Sequence, residues 1–413
     1  MTAFKVMRLP VRAIEISTVK RASSEMDRIG VDPAGIRIMA PKQFHYNLKV
    51  EGLTPAQANV LKQEILSAGG EAAIAKGAAS CSVPYTGAIV SGTLKQLRIL
   101  IDKLGVQSFG LPEVALSISE ALQNASRHSF TIKGRSRVWS AGRRTLIMGI
   151  LNVTPDSFYD GGRYMEESRA VERALEMAEE GADWIDVGGE STRPGAQPVQ
   201  EAEELKRVIP VVEALSKKGI AVSIDTTKAA VAKEALKSGA EIVNDVSAMT
   251  MDSAMESVCA EFRCPVVLMH MRGTPETMQL DTGYTDLMGE VFGYLLERLD
   301  SAVKAGIDPE SLIIDPGIGF GKSREGSIEL ISNLSELRTL GKPILVGPSR
   351  KTFIGKTLGE DGDAGLTGTL AVLALAVRNG ARILRVHDVR EARRVAAMAD
   401  EIRNAALEEG PLT

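Results

Sequence analysis

From residue 145 onward, short runs of aliphatic and β-branched residues alternate with longer segments whose apolar positions recur at helical spacing. The runs are TLIMGILN, DWIDVG, AVSID, EIVND, PVVLMH, LIID, PILVG and RILRVH. Between them lie segments such as SRAVERALEMAEEGA and TKAAVAKEALKSGA, which carry Gly at the end, where helices stop. Strand–helix alternation predicts a parallel sheet. Eight such units over about 270 residues fit one (β/α)8 TIM barrel, whose usual size is about 250 residues. A doubly wound open sheet is the rival. No G-x-G-x-x-G follows the first run, which counts against a dinucleotide-binding version of it.

The first 125 residues are patterned differently. FHYNLKVEG alternates like a strand. TPAQANVLKQEILSAGG reads as a helix, with Thr54 as N-cap, Pro55 at the first helical position, Gln57 completing a capping box and Gly69 as the stop. EAAIA and GAIVSG read as strands, and TLKQLRILIDKLG as a helix. This β-α-β-β-α order predicts a smaller α+β domain of the ferredoxin-like, split βαβ kind. LPEVALSISEALQN adds one more amphipathic helix, and SFTIKGRSRVW reads as a hairpin turning near Gly134. The expected division is an N-terminal α+β domain over 1–125, a hairpin segment over 126–143 and a barrel over 144–413. Phe130, Ile132 and Val138 of the hairpin are expected to cover the bottom of that barrel.

Composition narrows the function without naming it. With 44% apolar and 25% charged residues, the 413-residue chain is an ordinary globular one. A net charge of −4 gives no electrostatic case for nucleic acid or an acidic membrane surface. The start MTAFKVMRLPVRAIEIS has no apolar signal core, and LAVLALAV at 370–377 is too short to span a bilayer. Cys81, Cys259 and Cys264 form no disulfide framework and no C-x-x-C, so a reducing cytoplasm is expected.

Polar residues recur where the runs end. The first ends in Asn152, the third in Asp225, the fourth in Asn244 and Asp245, and the sixth in Asp315 within DPGIGFGK. Thr192 and Arg193 follow the second run; Ser349, Arg350 and Lys351 follow the seventh; Arg385 and His387 belong to the eighth. A single strand-end polar residue is a cap or loop anchor. In a closed barrel the whole set converges on the C-terminal face, where barrel enzymes keep their sites. Asp225, Asn244, Asp315 and Lys351 suit the edge of a flat heterocycle, one carboxylate accepting paired N–H donors. Asn152, Thr192, Arg193, Arg385 and His387 suit an anion such as a diphosphate.

The motifs ILNVTPDSF, DVGGESTRPGA, IDTTK, IVNDV, LMHMRGTPETMQ, DPGIGFGK, VGPSRK and RVHDV, in this order over about 144–400, closely resemble those of dihydropteroate synthases. The resemblance implies a (β/α)8 barrel, a homodimer and a requirement for Mg2+. It implies condensation of 4-aminobenzoate with 6-hydroxymethyl-7,8-dihydropterin diphosphate, with no nucleic-acid or membrane partner. It assigns the pterin pocket to Asp225, Asn244, Asp315 and Lys351, and the Mg2+–diphosphate to Asn152. Arg385 and His387 would hold the leaving group, and Thr192 and Arg193 would belong to a mobile loop. Phe158, Pro194 and Phe320 would line the aminobenzoate site, with Ser349 and Thr352 beside its carboxylate. A pterin-dependent methyltransferase has no use for the diphosphate motifs ESTRPG and RVHD, and a non-catalytic pterin binder has no need of Asn152, Arg193, Lys351 and Arg385. His270, flanked by Met269 and Met271, reads as a packed strand-end residue; His45 and His128 lie outside the barrel motifs.

Overall fold

The computed structural model describes residues 11–16, 18–153, 163–191, 195, 197–359 and 365–408, without the side chains of 163–166 and 406–408. Two compact units result, one of residues up to Leu122 together with the chain end from Asn404, the other Gln123–Arg403.

The first unit opens with helices α1 (Val19–Arg28) and α2 (Pro33–Gln43), which the hydrophobic pattern did not announce. Strand β1 (His45–Leu53), helix α3 (Pro55–Ser67), strand β2 (Glu71–Ile74), the short helix α4 (Lys76–Ala79), strand β3 (Thr86–Thr93) and helix α5 (Leu94–Gly105) follow. The capping box of α3 is present: the Gln57 N–H donates to Thr54 Oγ1 at 3.3 Å, and the Thr54 N–H to Gln57 Oε1 at 2.9 Å. In the sheet, β3 lies between β1 and β2 and runs antiparallel to both, which is the split βαβ arrangement. One sheet face packs on Leu61 and Ile65 of α3 and Leu97, Leu100 and Leu104 of α5. Each such buried side chain contributes about 1.5–3 kcal/mol. After α5 the chain enters helix α6 (Leu111–Ala125). The fourth strand of a full ferredoxin-like sheet is therefore missing among the described residues.

In the second unit, strands β4 (Phe130–Lys133) and β5 (Val138–Ala141) form a hairpin. The eight strands of a closed parallel barrel follow: β6 (Leu146–Asn152), β7 (Trp184–Gly188), β8 (Val222–Asp225), β9 (Ile242–Asp245), β10 (Val266–Met269), β11 (Leu312–Asp315), β12 (Ile344–Val346) and β13 (Ala381–Val386). Every strand run read from the pattern is one of these. Helices cover the outside, among them α7 (Arg163–Glu179), α8 (Glu201–Lys217), α9 (Ala229–Lys237), α10 (Met255–Phe262), α11 (Leu287–Lys304), α12 (Arg324–Ser332), α13 (Thr352–Leu358), α14 (Leu366–Asn379) and α15 (Val389–Glu408).

Alternation along each strand sorts the side chains. Ile147, Leu151, Ile185 and Val187 face the helices, whereas Leu146, Met148, Trp184, Ile242, Val267, Ile313, Leu345 and Ile383 fill the interior. Phe130, Ile132 and Ala141 of the hairpin join that interior cluster and close its lower end. Val138 does not; it is 67% exposed. Its neighbour Trp139 is paired with Ile132 across the hairpin, and cross-strand partners share a face. Trp139 therefore turns inward and meets Trp184 edge to face at 5.5 Å.

Candidate active site

The strand register assembles the upper interior. Asn152 pairs with Gly188, Gly188 with Asp225, and Asp225 with Asn244, so these residues stand in one row around four adjacent strands. A Cβ on Gly188 would lie 3.7 Å from Asn152 Oδ1 and 3.5 Å from Asp225 Cβ. The glycine thus leaves a gap between two polar side chains. One inward step lower on β7 is Asp186, fully buried, which in the sequence has no mark beyond being a polar residue within a strand run.

Asp186 organises its neighbours. Its Oδ2 accepts from Asn244 Nδ2 at 2.9 Å and from Arg385 Nε at 2.6 Å. Arg385 Nη2 donates in turn to Asp225 Oδ2 at 2.5 Å. One guanidinium fork therefore ties two carboxylates on adjacent strands. Burial pushes the Asp225 carboxyl up to about 7 against the pull of Arg385, with Asp186 adding like-charge repulsion. Against the cost of burial, Asp186 and Asp225 hold Arg385 above its ordinary value. Two nitrogens of Arg385, Nε and Nη2, are thus committed to carboxylates.

The DPGIGFGK loop supplies the opposite wall. Asp315, at the end of β11, accepts from the Gly317 N–H at 2.7 Å, and burial raises its pKa. Gly317 has φ +67°, and a Cβ there would sit 1.9 Å from the His270 carbonyl oxygen, so no other residue fits. Lys351 Nζ donates to the Ile318 carbonyl and lies 4.1 Å from the centre of the Phe320 ring. Burial draws Lys351 down to about 7, with Asp315 opposing. Behind the loop, the buried Lys322 contacts His270 Nδ1 at 2.7 Å and donates to the His270 carbonyl at 3.0 Å. His270 is thus packed behind the site, as its apolar surroundings suggested. The sequence marks Lys322 only as a Lys following a glycine-rich loop.

Beyond β12, Ser349 Oγ lies 3.1 Å from His387 Nδ1 and accepts from the His387 N–H at 3.3 Å, joining the seventh and eighth strand ends. Arg350, φ +56°, pairs with Asp388 at 2.7 Å. Thr352 begins α13 and lines a cleft of about 450 Å³ with Gly319, Ser323, Phe353 and Lys356. Phe158, Thr192, Arg193 and Pro194 lie outside the described residues. Among the described residues, no set of three or more His, Cys, Asp and Glu side chains is grouped for a metal.

A parallel barrel whose mouth gathers buried carboxylates, an amide, a lysine and an arginine belongs to the barrel enzymes that grip a flat polar heterocycle. Residues 148–387 match the pterin-binding enzyme family, and the chain belongs to it. It is 48% identical over 263 residues to a dihydropteroate synthase of Synechocystis sp., covering 63% of this chain and 91% of that protein. A probable bifunctional folylpolyglutamate synthase/dihydropteroate synthase of Halobacterium salinarum is 42% identical over 395 residues. That match covers 95% of this chain, so it includes the N-terminal unit, but the chain spans only 47% of that protein. The crystal structure of a dihydropteroate synthase from Clostridium difficile, in the presence of pteroic acid, superposes with a TM-score of 0.60 at 45% identity. It covers 63% of this chain and 98% of the other.

Proposed function

We propose that the chain is a dihydropteroate synthase, joining 4-aminobenzoate to 6-hydroxymethyl-7,8-dihydropterin diphosphate to give 7,8-dihydropteroate and pyrophosphate. The observation that carries this reading is the convergence of Asp225, Asn244, Asp315, Lys351 and Arg385 inside one barrel mouth. Asp315 and Asp225 accept ligand N–H groups, and Lys351 donates to the carbonyl edge. Their burial makes each hydrogen bond stronger than it would be in water.

The C–O bond between the pterin methylene and the diphosphate breaks with its electron pair leaving on oxygen. The electron-rich dihydropterin stabilises the resulting methylene cation, the aryl amine attacks it, and the amine's proton passes to solvent. Arg385 and His387 face the departing charge, and the resemblance assigns Arg193 the role of a further cation for it. Asn152 supplies the hard amide oxygen that fits a Mg2+ arriving on the diphosphate, since such ions need only one or two protein ligands beside phosphate oxygens. Bound there, Mg2+ would neutralise charge on the leaving group. Thr192 belongs to the same loop as Arg193. The resemblance assigns Phe158, Pro194 and Phe320 to the aminobenzoate side, and Ser349 and Thr352 to its carboxylate.

A homodimer is part of the proposal, and exposed Ile328, Leu358, Leu366 and Leu375 on α12–α14 supply apolar surface for it. So is a reducing cytoplasm, on the strength of three free thiols. Among the described residues no helix is long and apolar enough to cross a membrane. The test mixes purified protein with the pterin diphosphate, 4-aminobenzoate and Mg2+ and follows pyrophosphate. Release that depends on aminobenzoate supports the reading. Pterin binding without release would make the protein a non-catalytic binder.

A further inference from the structure

Asp186 is an anomaly in its surroundings. It is completely buried and flanked on its strand by Ile185 and Val187, with Trp184 in the layer beneath, all three buried as well. Burying a carboxylate is costly, and packing alone would favour an aliphatic residue. Its Oδ1 has no hydrogen-bond partner among the described residues, so its only bonds are those of Oδ2 to Asn244 and Arg385. Among the described residues, these two bonds are what a carboxylate at this position serves.

The register gives these bonds a direction. Asn244 stands level with Gly188, and Asp186 lies two residues before Gly188, one inward step nearer the barrel floor. The Asn244 NH2 therefore points down to Asp186. The two ends of an amide point apart, so Oδ1 points up toward the mouth. In the same way Asp186 holds Nε of Arg385, while Nη2 reaches Asp225.

We propose that Asp186 is a positioning residue for pterin binding: it locks the Asn244 amide so that a hydrogen-bond acceptor, and not a donor, faces the ligand, and it sets the angle of the Arg385 fork. The inference rests on the pterin-binding reading of this mouth. Asn244 thereby demands an N–H on the heterocycle. An unlocked amide would rotate and meet the same N–H with its own NH2.

The test is calorimetric titration with 6-hydroxymethylpterin of the full chain and four variants. Asp186→Asn retains one oxygen able to accept from both neighbours, and its affinity should stay within about threefold; Asp186→Leu removes the acceptor at similar volume and should weaken binding about tenfold or more. The KM for 4-aminobenzoate should hardly change in either, a split that a general loss of structure would not produce. Asn244→Asp sets two carboxylates against each other and should also bind weakly. Combining Asp186→Asn with Asn244→Asp restores a donor–acceptor pair below and leaves an oxygen facing the mouth, and should recover most of the affinity. The proposal is overturned if Asp186→Asn is as weak as Asp186→Leu, or if the exchanged pair is no better than Asn244→Asp alone. A ligand-free measurement separates this inference from the functional reading. In protein labelled with ¹⁵N-asparagine, the Asn244 side-chain proton should exchange slowly, and quickly in Asp186→Leu. Fast exchange in the unaltered protein would overturn the proposal whether or not the pterin binds.

Discussion

Replacing His270 by Asn should flatten the acid side of the barrel's stability curve. The His270 ring is 6% exposed, stacks edge-on against Tyr294 at 4.9 Å and has Lys322 Nζ on its Nδ1 at 2.7 Å. Burial, with the Lys322 charge beside it, draws the imidazole from 6.5 down to about 3. The unfolded chain therefore binds more protons than the folded one between these values. The resulting stability is fully present above about pH 6.5 and is lost as pH falls toward 3. At about 1.4 kcal/mol per unit, the loss near pH 5 is about 2 kcal/mol. The unaltered protein's own curve will not display this cleanly. Burial raises Asp225 to about 7 and Asp245 to about 6, and such groups favour the fold as pH falls. The difference between His270→Asn and the unaltered protein cancels those contributions. Asn offers Lys322 an acceptor near the place of Nδ1 but cannot titrate. The variant should be less stable near pH 7.5 through lost packing, and the gap should close by about 2 kcal/mol near pH 5. Denaturant unfolding followed by tryptophan fluorescence is the assay, because both tryptophans, Trp139 and Trp184, belong to the barrel unit. A gap that stays constant across this range would refute the reasoning.

Further outcomes follow from the same geometry. Ile132→Ala should cost about 2–5 kcal/mol in the same unfolding assay, and Val138→Ala no more than about 0.5, because only the first faces the barrel interior. Gly188→Ala should leave the melting temperature nearly unchanged, since its Cβ makes only ordinary contacts at 3.5–3.7 Å, yet it should lower kcat/KM at least about tenfold by filling the gap between Asn152 and Asp225. A chain begun at Asn124 should keep aminobenzoate-dependent pyrophosphate release, because the proposed site residues all lie in the second unit; a native-like melt without activity would show that the N-terminal unit supports the site.

The barrel was legible because each strand is a short apolar run with a polar residue or glycine at its end, and because its helices carry their own stops. What the runs concealed was parity. In DWIDVG the carboxylate of Asp186 looks like any polar residue within a strand; only the register shows it facing the interior under Asn244. Within the hairpin, which is present as expected, parity hid one position: Val138 and Trp139 are both apolar, and only the pairing with Ile132 decides which one turns inward. The first two helices did leave signals. Thr18 caps α1 by accepting from the Arg21 N–H at 3.0 Å, and Asp32 before Pro33 caps α2. α1 is one-sided but mostly polar and buries only Ala22 and Ser24, and α2 has no one-sided apolar stripe, so a search for apolar runs passes over both.

The stagger of the strands explains why the eighth strand carries an arginine where the third and fourth carry Asp and Asn. Arg385 pairs in register with Met148, and Met148 with Trp184, so its Cα is level with the apolar layer. Asp186 and Gly188 lie one and two inward steps higher on β7, and each step is about 6.6 Å along a strand. A short polar residue at 385 would be confined among Met148, Trp184 and Ile383. A guanidinium on a three-carbon stem spans the stagger, reaching Asp186 with Nε and Asp225 with Nη2. Lysine has comparable reach but a single nitrogen, and could not tie two carboxylates at once with fixed geometry. On this argument Arg385→Lys should lose far more than its unchanged formal charge suggests: one of Asp186 and Asp225 would be left without its cation in a buried site. Pterin affinity measured by calorimetry should fall by at least about tenfold, on a cost of about 2–5 kcal/mol for breaking a buried charge pair. An Arg385→Lys variant that binds as tightly as the unaltered protein would mean that charge alone, and not the fork, holds the floor of the site together.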